Sequence, residues 1–169
     1  MDGLKSMKNS TLVLVASLAL VPLSASARPP AKPATDTAVR SRAAAFLTVW
    51  NQHDSKAMAT FWDSDGDLIN LYGRVAKGPE EIANNLAGEH ATDMRLATMA
   101  TSALAVRMID PTIALADWDV DVTGVVNPDA SAAPAVKEHW TILMHRRDGL
   151  WRFIAVRVSS FVTAAPVVR

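Results

Sequence analysis

The chain of 169 residues carries 17 Lys and Arg, 17 Asp and Glu and no Cys, so its formal net charge is zero. Binding to nucleic acid phosphates needs a basic stripe, and the sequence has no block of Lys and Arg, which argues against nucleic acid as a partner. The lack of cysteine excludes disulfides, thiolate nucleophiles and cysteine-ligated metals.

The first 27 residues have the pattern of a secretory signal peptide. Lys5 and Lys8 precede an apolar run, and Ala25-Ser26-Ala27 matches the small-residue pattern of a cleavage site. We therefore expect cleavage after Ala27 and a secreted or periplasmic protein without stable membrane insertion, because the apolar run is short for a span. An uncleaved N-terminal anchor is the alternative.

Residues 28–36 are rich in Pro and Ala and predict a linker, which is followed by one domain over 37–163 and a tail over 164–169. Helical spacing of apolar residues begins near Thr37, and Asp54 is a typical N-cap for a second short helix. Pro79 with two glutamates behind it predicts the start of a third helix.

From about Met94 onward the sequence alternates as strands do. Asp110-Pro111 and Asp148-Gly149 each separate two such runs, and one early strand lies among the helices. This order predicts an α+β fold in which about three helices pack on one face of an antiparallel sheet.

The stretch DSDGD places Asp63, Asp65 and Asp67 at alternate positions. An EF-hand loop starting at Asp63 would need Gly at position 68 and Glu at position 74, where the chain has Leu and Arg, so a calcium loop is disfavoured. A helix-to-strand turn at Gly66 is the preferred interpretation. Asp67 remains a candidate catalytic base if it lies beside an apolar pocket.

In the strand that follows, Asn70 and Tyr72 share one side with Leu68. Asn70 either orients a ligand in a pocket or satisfies a turn. No pair of histidines has the helical spacing of a zinc site, so no metal is predicted. His90 shares a helix face with Ile82 and Leu86 and is a second candidate catalyst, the alternative being a satisfied core histidine.

The last hairpin turns at Asp148-Gly149, and a two-residue loop pairs Arg147 with Leu150. Counting from there puts Trp140, Phe153 and Arg157 on one core-like face. A cation at that depth needs a carboxylate, an aromatic face or a bound anion as its partner. Arg157 is therefore either a structural ion pair or a ligand contact.

Two further faces complete the prediction. Trp118 shares the inner side of its strand with Ala114 and Ala116 and would form a pocket wall with Trp140 and Phe153. The outer face of the last hairpin is half apolar, which is typical of a sheet that packs on a second subunit.

Three segments resemble one known family. DGDLINLYGRVAKGPEEI (65–82) is similar to the D-x-D-h-x-N-h-h-G…G-x-E-x-I signature of SnoaL-like domains, in the nuclear transport factor 2-like superfamily. RRDGLWRFIAVRVSSF (146–161) resembles the family's closing hairpin, and FLTVWNQHD (46–54) resembles its first helix.

The resemblance implies a cone-shaped, strongly curved antiparallel sheet wrapped around the helices, a cystatin-like roll with a pocket inside, and often a homodimer through the outer sheet face. Its members include ketosteroid isomerase and polyketide cyclases as well as binding-only domains, so the fold does not settle the activity. Relatives often have a His where this chain has Arg157, which puts proton transfer by histidine at that position in doubt.

The sequence therefore predicts a cofactor-free domain that binds a small, partly apolar molecule, which can be anionic. The expected contacts are Asn70, Tyr72, His90, Trp118, Trp140, Phe153 and Arg157. The first alternative is an isomerase, cyclase or dehydratase using acid–base catalysis. The second is a non-catalytic dimeric scaffold whose cone is filled by Trp118 and Trp140.

Overall fold

The computed structural model of the protein describes residues 36–160, which belong to one structural unit. The predicted signal peptide and tail, and all but the last residue of the predicted linker, lie outside these residues. The elements are α1 (Thr37–Asn51), α2 (Ser55–Ala59), β1 (Trp62–Ile69), β2 (Val75–Lys77), α3 (Gly78–Ala91), β3 (Thr98–Met108), β4 (Ile113–Thr123), β5 (Val136–Arg147) and β6 (Leu150–Ser160). The predicted α+β class is confirmed.

The helices follow the local signals of the sequence. The Asp54 side chain accepts a hydrogen bond from the Ala57 N–H and caps α2 at 2.9 Å. In α3, Pro79 lies in the first turn beside Glu80 and Glu81, where acidic side chains favour the helix dipole. Within residues 36–160, no helix combines the length and the apolar character needed to cross a membrane.

The six strands form one curved sheet in the order β2-β1-β6-β5-β4-β3. Every neighbouring pair is antiparallel except β1 and β6, which run parallel. This parallel pair has a physical reason. The chain between β1 and β6 includes α3 and a meander of three strands, so the two strands are not constrained by a hairpin to run in opposite directions.

An aromatic cluster centred on Phe46 of α1 fills the interior of the curved sheet. The Phe46 ring contacts five other rings with centroid distances between 5.3 and 6.3 Å, namely Phe61, Trp62, Trp118, Trp140 and Phe153. All six side chains are buried. Because aromatic rings pack edge to face at these distances, the cluster locks α1 against β1, β4, β5 and β6.

A bulge in β6 overturns one predicted register. Arg147 pairs with Leu150 and Met144 with Phe153 as expected, but the register then shifts and Leu143 pairs with Ala155. One extra residue in a strand moves every later side chain to the opposite face. The predicted position of Arg157 beside Trp140 inside the cone is therefore wrong.

Arg157 lies on the exterior of the sheet, paired across the strands with Thr141. Its Nη1 and Nη2 donate to the two carboxylate oxygens of Asp67 at 2.6 and 3.0 Å. A bidentate ion pair satisfies both groups, which explains why neither side chain turns toward the interior. Of the two alternatives predicted for Arg157, the structure shows the structural ion pair.

The DSDGD stretch belongs to β1, and the predicted helix-to-strand turn at Gly66 is wrong. β1 begins at Trp62, and the turn comes later, where the Gly73 N–H donates to the Asn70 carbonyl at 2.9 Å. A Cβ on Gly66 would lie 2.7 Å from the Phe153 carbonyl oxygen. Gly66 is therefore required for close backbone approach between β1 and β6, at the irregular part of their pairing.

We expect Gly66→Ala to lower the free energy of unfolding by about 1–3 kcal/mol, because the new methyl group meets backbone atoms that cannot move aside. Gly88→Ala is the matched control. Nothing lies within 4 Å of a Cβ at this position in α3, so it should raise stability by about 0.5–1 kcal/mol. Urea unfolding measures both, and equal stability of the two variants would contradict this account of Gly66.

Candidate functional site

A small cavity lies at the open end of the cone, between α3, the turn after β1, the start of β5 and the end of β6. Its volume is about 20 Å³, enough for about one water molecule. The apolar wall consists of Trp50, Leu68, Leu71, Leu86, Met94, Trp140 and Val158. Four polar side chains join it, Asn70, Tyr72, Glu89 and Glu138.

Glu138 reaches the cavity because it shares the inner face of β5 with Trp140, two residues further along the strand. Its side chain is 3% exposed, and the Trp140 Nε1–H donates to its Oε2 at 2.8 Å. Burial raises the pKa of Glu138, and the nearby charge of Glu89 raises it further, while the hydrogen bond from Trp140 opposes the shift.

Glu89 lies in the last turn of α3 and is held by two amides. Its Oε1 accepts hydrogen bonds from the Nδ2 of Asn85, at 3.0 Å, and from the Nδ2 of Asn70. Burial raises the pKa of Glu89, and the two amide hydrogen bonds work in the opposite direction because they stabilise the ionised form. The geometry thus holds one oxygen in place and leaves Oε2 without a donor among residues 36–160.

Asn70 connects the turn after β1 to this carboxylate. Its Oδ1 accepts from the N–H groups of Tyr72, at 3.1 Å, and Arg74, at 2.8 Å, while its Nδ2 donates to Glu89. Because the turn fixes the oxygen, the nitrogen can only point toward α3. Asn70 therefore satisfies a turn and lines the cavity at once, and its contact with a ligand stays a prediction.

Tyr72 and Glu89 also border a second and much larger space, an open groove of about 1000 Å³ on the outside of the cone. The Tyr72 hydroxyl donates to Asp93 Oδ2 at 2.5 Å, and this hydrogen bond raises the pKa of Tyr72 well above its usual range. The groove continues along the loop after β4 and is lined there by Val126, Asn127, Pro128 and Ala130. Glu89 is thus accessible from the groove, whereas Glu138 lies deeper.

His90 is buried as predicted but packs behind the cavity wall. Its ring lies 4.7 Å from the Trp50 ring, and its Nδ1 is 2.7 Å from the Nδ1 of His53. Burial, followed by the charge of His53, lowers the pKa of His90 to about 4, so His90 is neutral near pH 7. No group of three His, Asp or Glu in residues 36–160 could hold a metal ion.

The structure separates the predicted site residues into four groups. Asn70, Tyr72 and Trp140 line the cavity, whereas Trp118 and Phe153 belong to the aromatic cluster deeper in the cone, and His90 lies behind Trp50. Asp67 and Arg157 form the exterior ion pair. Neither lines the cavity, so the predicted places of Asp67 as a base and Arg157 as a ligand contact in the pocket are both corrected.

The two cavity carboxylates were not among the predicted site residues, although the sequence contains a signal for each. Glu138 lies two residues before Trp140, so strand alternation puts both side chains on the same face, and Trp140 was correctly predicted to lie inside. Glu89 follows Asn85 by one helical turn and Leu86 by three residues, which puts it at the edge of the inward face. A charged side chain is assigned to solvent by default, and only tertiary contacts reverse that assignment.

Comparison with known proteins identifies the fold of this chain but no sequence family. Neither a protein-family model nor a curated protein matches the sequence. An uncharacterized protein with a cystatin-like fold from Caulobacter vibrioides has a TM-score of 0.68 at 25% identity, over 75% of this chain and 89% of the other. A ketosteroid isomerase-like protein from Erwinia carotovora atroseptica has a TM-score of 0.66 at 19% identity, over 75% of this chain and 96% of the other.

A third similar structure, a hexachlorocyclohexane dehydrochlorinase, has a TM-score of 0.64 at 18% identity and covers 78% of this chain and 94% of its own. These matches, together with the element order and the curved six-stranded sheet, establish that the chain has the nuclear transport factor 2-like, or cystatin-like, fold. The resemblance inferred from the sequence is confirmed at this level.

We expect Asn85→Ala to raise the pKa of Glu89, because it removes a hydrogen bond that favours the ionised carboxylate. Asn84→Ala is the control, since Asn84 is the exposed neighbour of Asn85 on α3. Titration of the side-chain carboxyl carbons by NMR measures the change. An unchanged Glu89 titration in Asn85→Ala would contradict the proposed role of the amide.

We expect Glu138→Gln to unfold at a higher temperature than the parent protein at about pH 8 and at a similar temperature near pH 4. The pKa of Glu138 in the folded state is raised above its ordinary value of 4.5. The buried charge therefore lowers the free energy of unfolding as the pH rises from 4.5 through the raised pKa, and it has no effect below 4.5, where the group is protonated in both states. Glutamine keeps an oxygen that can accept from Trp140.

Glu80→Gln, at an exposed position of α3, should give no such gain at the higher pH. Thermal unfolding followed by circular dichroism at both pH values makes the comparison. A gain that is equally large at both pH values would show that charge is not its cause.

Proposed function

We propose, from the nuclear transport factor 2-like fold and the site at the mouth of the cone, that the protein is a cofactor-independent acid–base enzyme acting on a small, partly apolar molecule. One observation carries the proposal. Two carboxyl groups, Glu89 and Glu138, both with pKa values raised by burial, converge on one cavity with largely apolar walls. Pairs of titratable groups in such surroundings are typical of proton-transfer sites.

The two carboxyl groups suit different roles. Like charges in one site disfavour double ionisation, and the charge of Glu89 adds to the burial that raises the pKa of Glu138. Glu89 borders the groove and its Oε2 accepts no hydrogen bond from residues 36–160, which suits a base that removes a proton from a carbon beside an electron-withdrawing group. Glu138 lies deeper and, when protonated, can donate to the oxygen on which negative charge develops.

The reaction class follows from this arrangement. A proton taken from one carbon and returned to another gives isomerisation, and a proton taken from carbon with loss of a β-substituent gives elimination. Both balance without an oxidant or reductant. The cavity has room only for the reacting group, so the body of the substrate would lie in the groove that Tyr72 and Glu89 share with the cavity.

Two further functions compete with this one. Binding without turnover uses the same groove and cavity but needs no base. A scaffold role is favoured by the aromatic cluster, because Phe46, Trp118 and Trp140 fill the deep part of the cone. The cavity at the mouth supports the enzyme over the scaffold, since burying two carboxylates is costly for a domain that only needs a packed core.

The similar structures add limited support. One of them is named as ketosteroid isomerase-like and another as a dehydrochlorinase. These names belong to those proteins, and they carry to this chain only the suggestion that the fold can house such a site.

Export and assembly complete the proposal. Signal cleavage after Ala27 would place the protein outside the cytoplasm, in the periplasm or the medium. We also propose a homodimer through the outer sheet face, where Leu115 and Leu143 are neighbours across β4 and β5 and are only half-buried. Native mass spectrometry of the protein recovered from the periplasm would measure the cleavage site and the subunit number together.

The acid–base proposal is tested with 5-nitrobenzisoxazole, which opens to a coloured phenolate when a base removes its ring proton. We expect the parent protein to accelerate this opening, with a rate that rises with pH through the raised pKa of Glu89 because only the ionised group is a base. Glu89→Gln should lower the rate at least about 100-fold.

Glu138→Gln should lower the rate less than Glu89→Gln, since it keeps a hydrogen-bond donor at the deeper position. Glu80→Gln, far from the cavity lining, is the control and should leave the rate unchanged. Equal rates for the parent protein and Glu89→Gln would refute the catalytic proposal. Binding without turnover and the scaffold role would then remain as the functions to be distinguished.

A further inference from the structure

The groove outside the cone contains two arginines without carboxylate partners. Arg74 and Arg95 both line it, and neither takes part in an ion pair within residues 36–160. Arg40, Arg147 and Arg157 are each paired with an aspartate, whereas the other described arginines without an ion pair, Arg42, Arg107, Arg146 and Arg152, do not line the groove. Unpaired guanidinium groups that share a concave surface are suited to bind an anion, because each presents up to five N–H donors.

Arg74 is held by its backbone and Arg95 by one guanidinium nitrogen. The Arg74 N–H donates to Asn70 Oδ1 at 2.8 Å, so the turn that positions Glu89 also positions this arginine. The Arg95 Nη1 donates to the Thr92 carbonyl at 2.9 Å, which leaves its other donors for a ligand. Each side chain therefore has most of its hydrogen-bonding capacity unused.

The acidic groups of the groove do not compensate these cations. Asp93 accepts from the Tyr72 hydroxyl on one oxygen and from the Thr92 hydroxyl, at 3.1 Å, on the other. Glu89 is held by its two amides, and burial disfavours its charge; the charge of Arg74 has a smaller, opposite effect on the pKa of Glu89, and the two side chains form no ion pair among residues 36–160. The hydrogen bonds that these two carboxylates accept from side chains thus come from neutral donors, and neither carboxylate is within ion-pair distance of Arg74 or Arg95.

The rest of the groove is suited to an apolar group. Ala91, Val126, Pro128 and Ala130 line it, and the Val126 N–H donates to the Asp93 carbonyl at 2.9 Å, which ties the loop after β4 to the end of α3. A volume of about 1000 Å³ accepts a molecule of one or two rings.

We propose that the groove binds a small organic anion with an apolar body, whose carboxylate, sulfonate or phosphate group contacts Arg74 and Arg95. The ionised carboxylate of Glu89 repels the anionic group from the cavity, and the arginines attract it to the rim. The two effects together turn the neutral end of the molecule toward Glu89. This inference rests on the proposed function only for that last step, because binding of the anion needs no turnover.

The test compares two fluorescent probes with the same ring system, the anion 8-anilinonaphthalene-1-sulfonate and the neutral N-phenyl-1-naphthylamine. We expect the anion to bind more tightly at low salt and to lose affinity as salt is added, whereas the neutral probe should not. Arg74→Gln and Arg95→Gln should each weaken binding of the anion about two- to fivefold and leave the neutral probe unaffected.

Arg107→Gln is the matched control, since Arg107 is exposed on β3 and does not line the groove. Gly88→Trp locates the probes. Gly88 lines the groove, and a Cβ there meets no atom within 4 Å, so an indole can fill the space and should abolish binding of both probes.

Each result decides the matter. Equal affinity for the two probes, or unchanged anion binding in Arg74→Gln and Arg95→Gln, overturns the proposal. Anion binding that survives Gly88→Trp overturns it as well, because the probe is then bound elsewhere. Loss of ring opening in Glu89→Gln with arginine-dependent anion binding supports both proposals, whereas arginine-dependent binding without any ring opening refutes only catalysis.

Discussion

The aromatic cluster around Phe46 is the constraint on which the rest of the structure depends. One phenyl ring on α1 contacts rings from four strands and from the residue before β1, so a single side chain defines the distance between helix and sheet. Because large aromatic side chains dominate the energy of burial, this cluster supplies a core to a chain without disulfides. It also fills the deep cone, which confines any solvent-filled space to the mouth.

The polar site exists because the aromatic packing on β5 ends at Trp140, and the next inward-facing residue toward the mouth of the cone is Glu138. Trp140 belongs to both regions. Its ring packs on Phe46, and its indole N–H donates to Glu138, two residues nearer the start of β5. The carboxylates are costly to bury, and their neutral donors offset only part of that cost. A site with raised carboxyl pKa values is the physical result, and groove and cavity meet at Glu89.

How far the sequence predicts this molecule can be judged from particular residues. The helix starts at Asp54 and Pro79 and the tight turn at Asp148-Gly149 depend on local chemistry, and they were correctly predicted. Strand alternation correctly put Trp118, Trp140 and Phe153 inside, and the helical period did the same for His90. The resemblance to a known family correctly predicted the curved sheet with its helices.

Arg157 and Glu138 mark the limit of such reasoning. The face of the sheet on which Arg157 lies depends on a bulge of one residue between Phe153 and Ala155. No residue type in that strand predicts the bulge. Strand alternation puts Glu138 on the inner face of β5, but that the charge stays buried there depends on the hydrogen bond from Trp140 and on the cavity wall formed by α3. The sequence alone determined the order of elements and the apolar interior, since both follow from short-range periodicity. Tertiary structure alone decided which charges face the cavity, because strand register and burial depend on residues far apart in the chain.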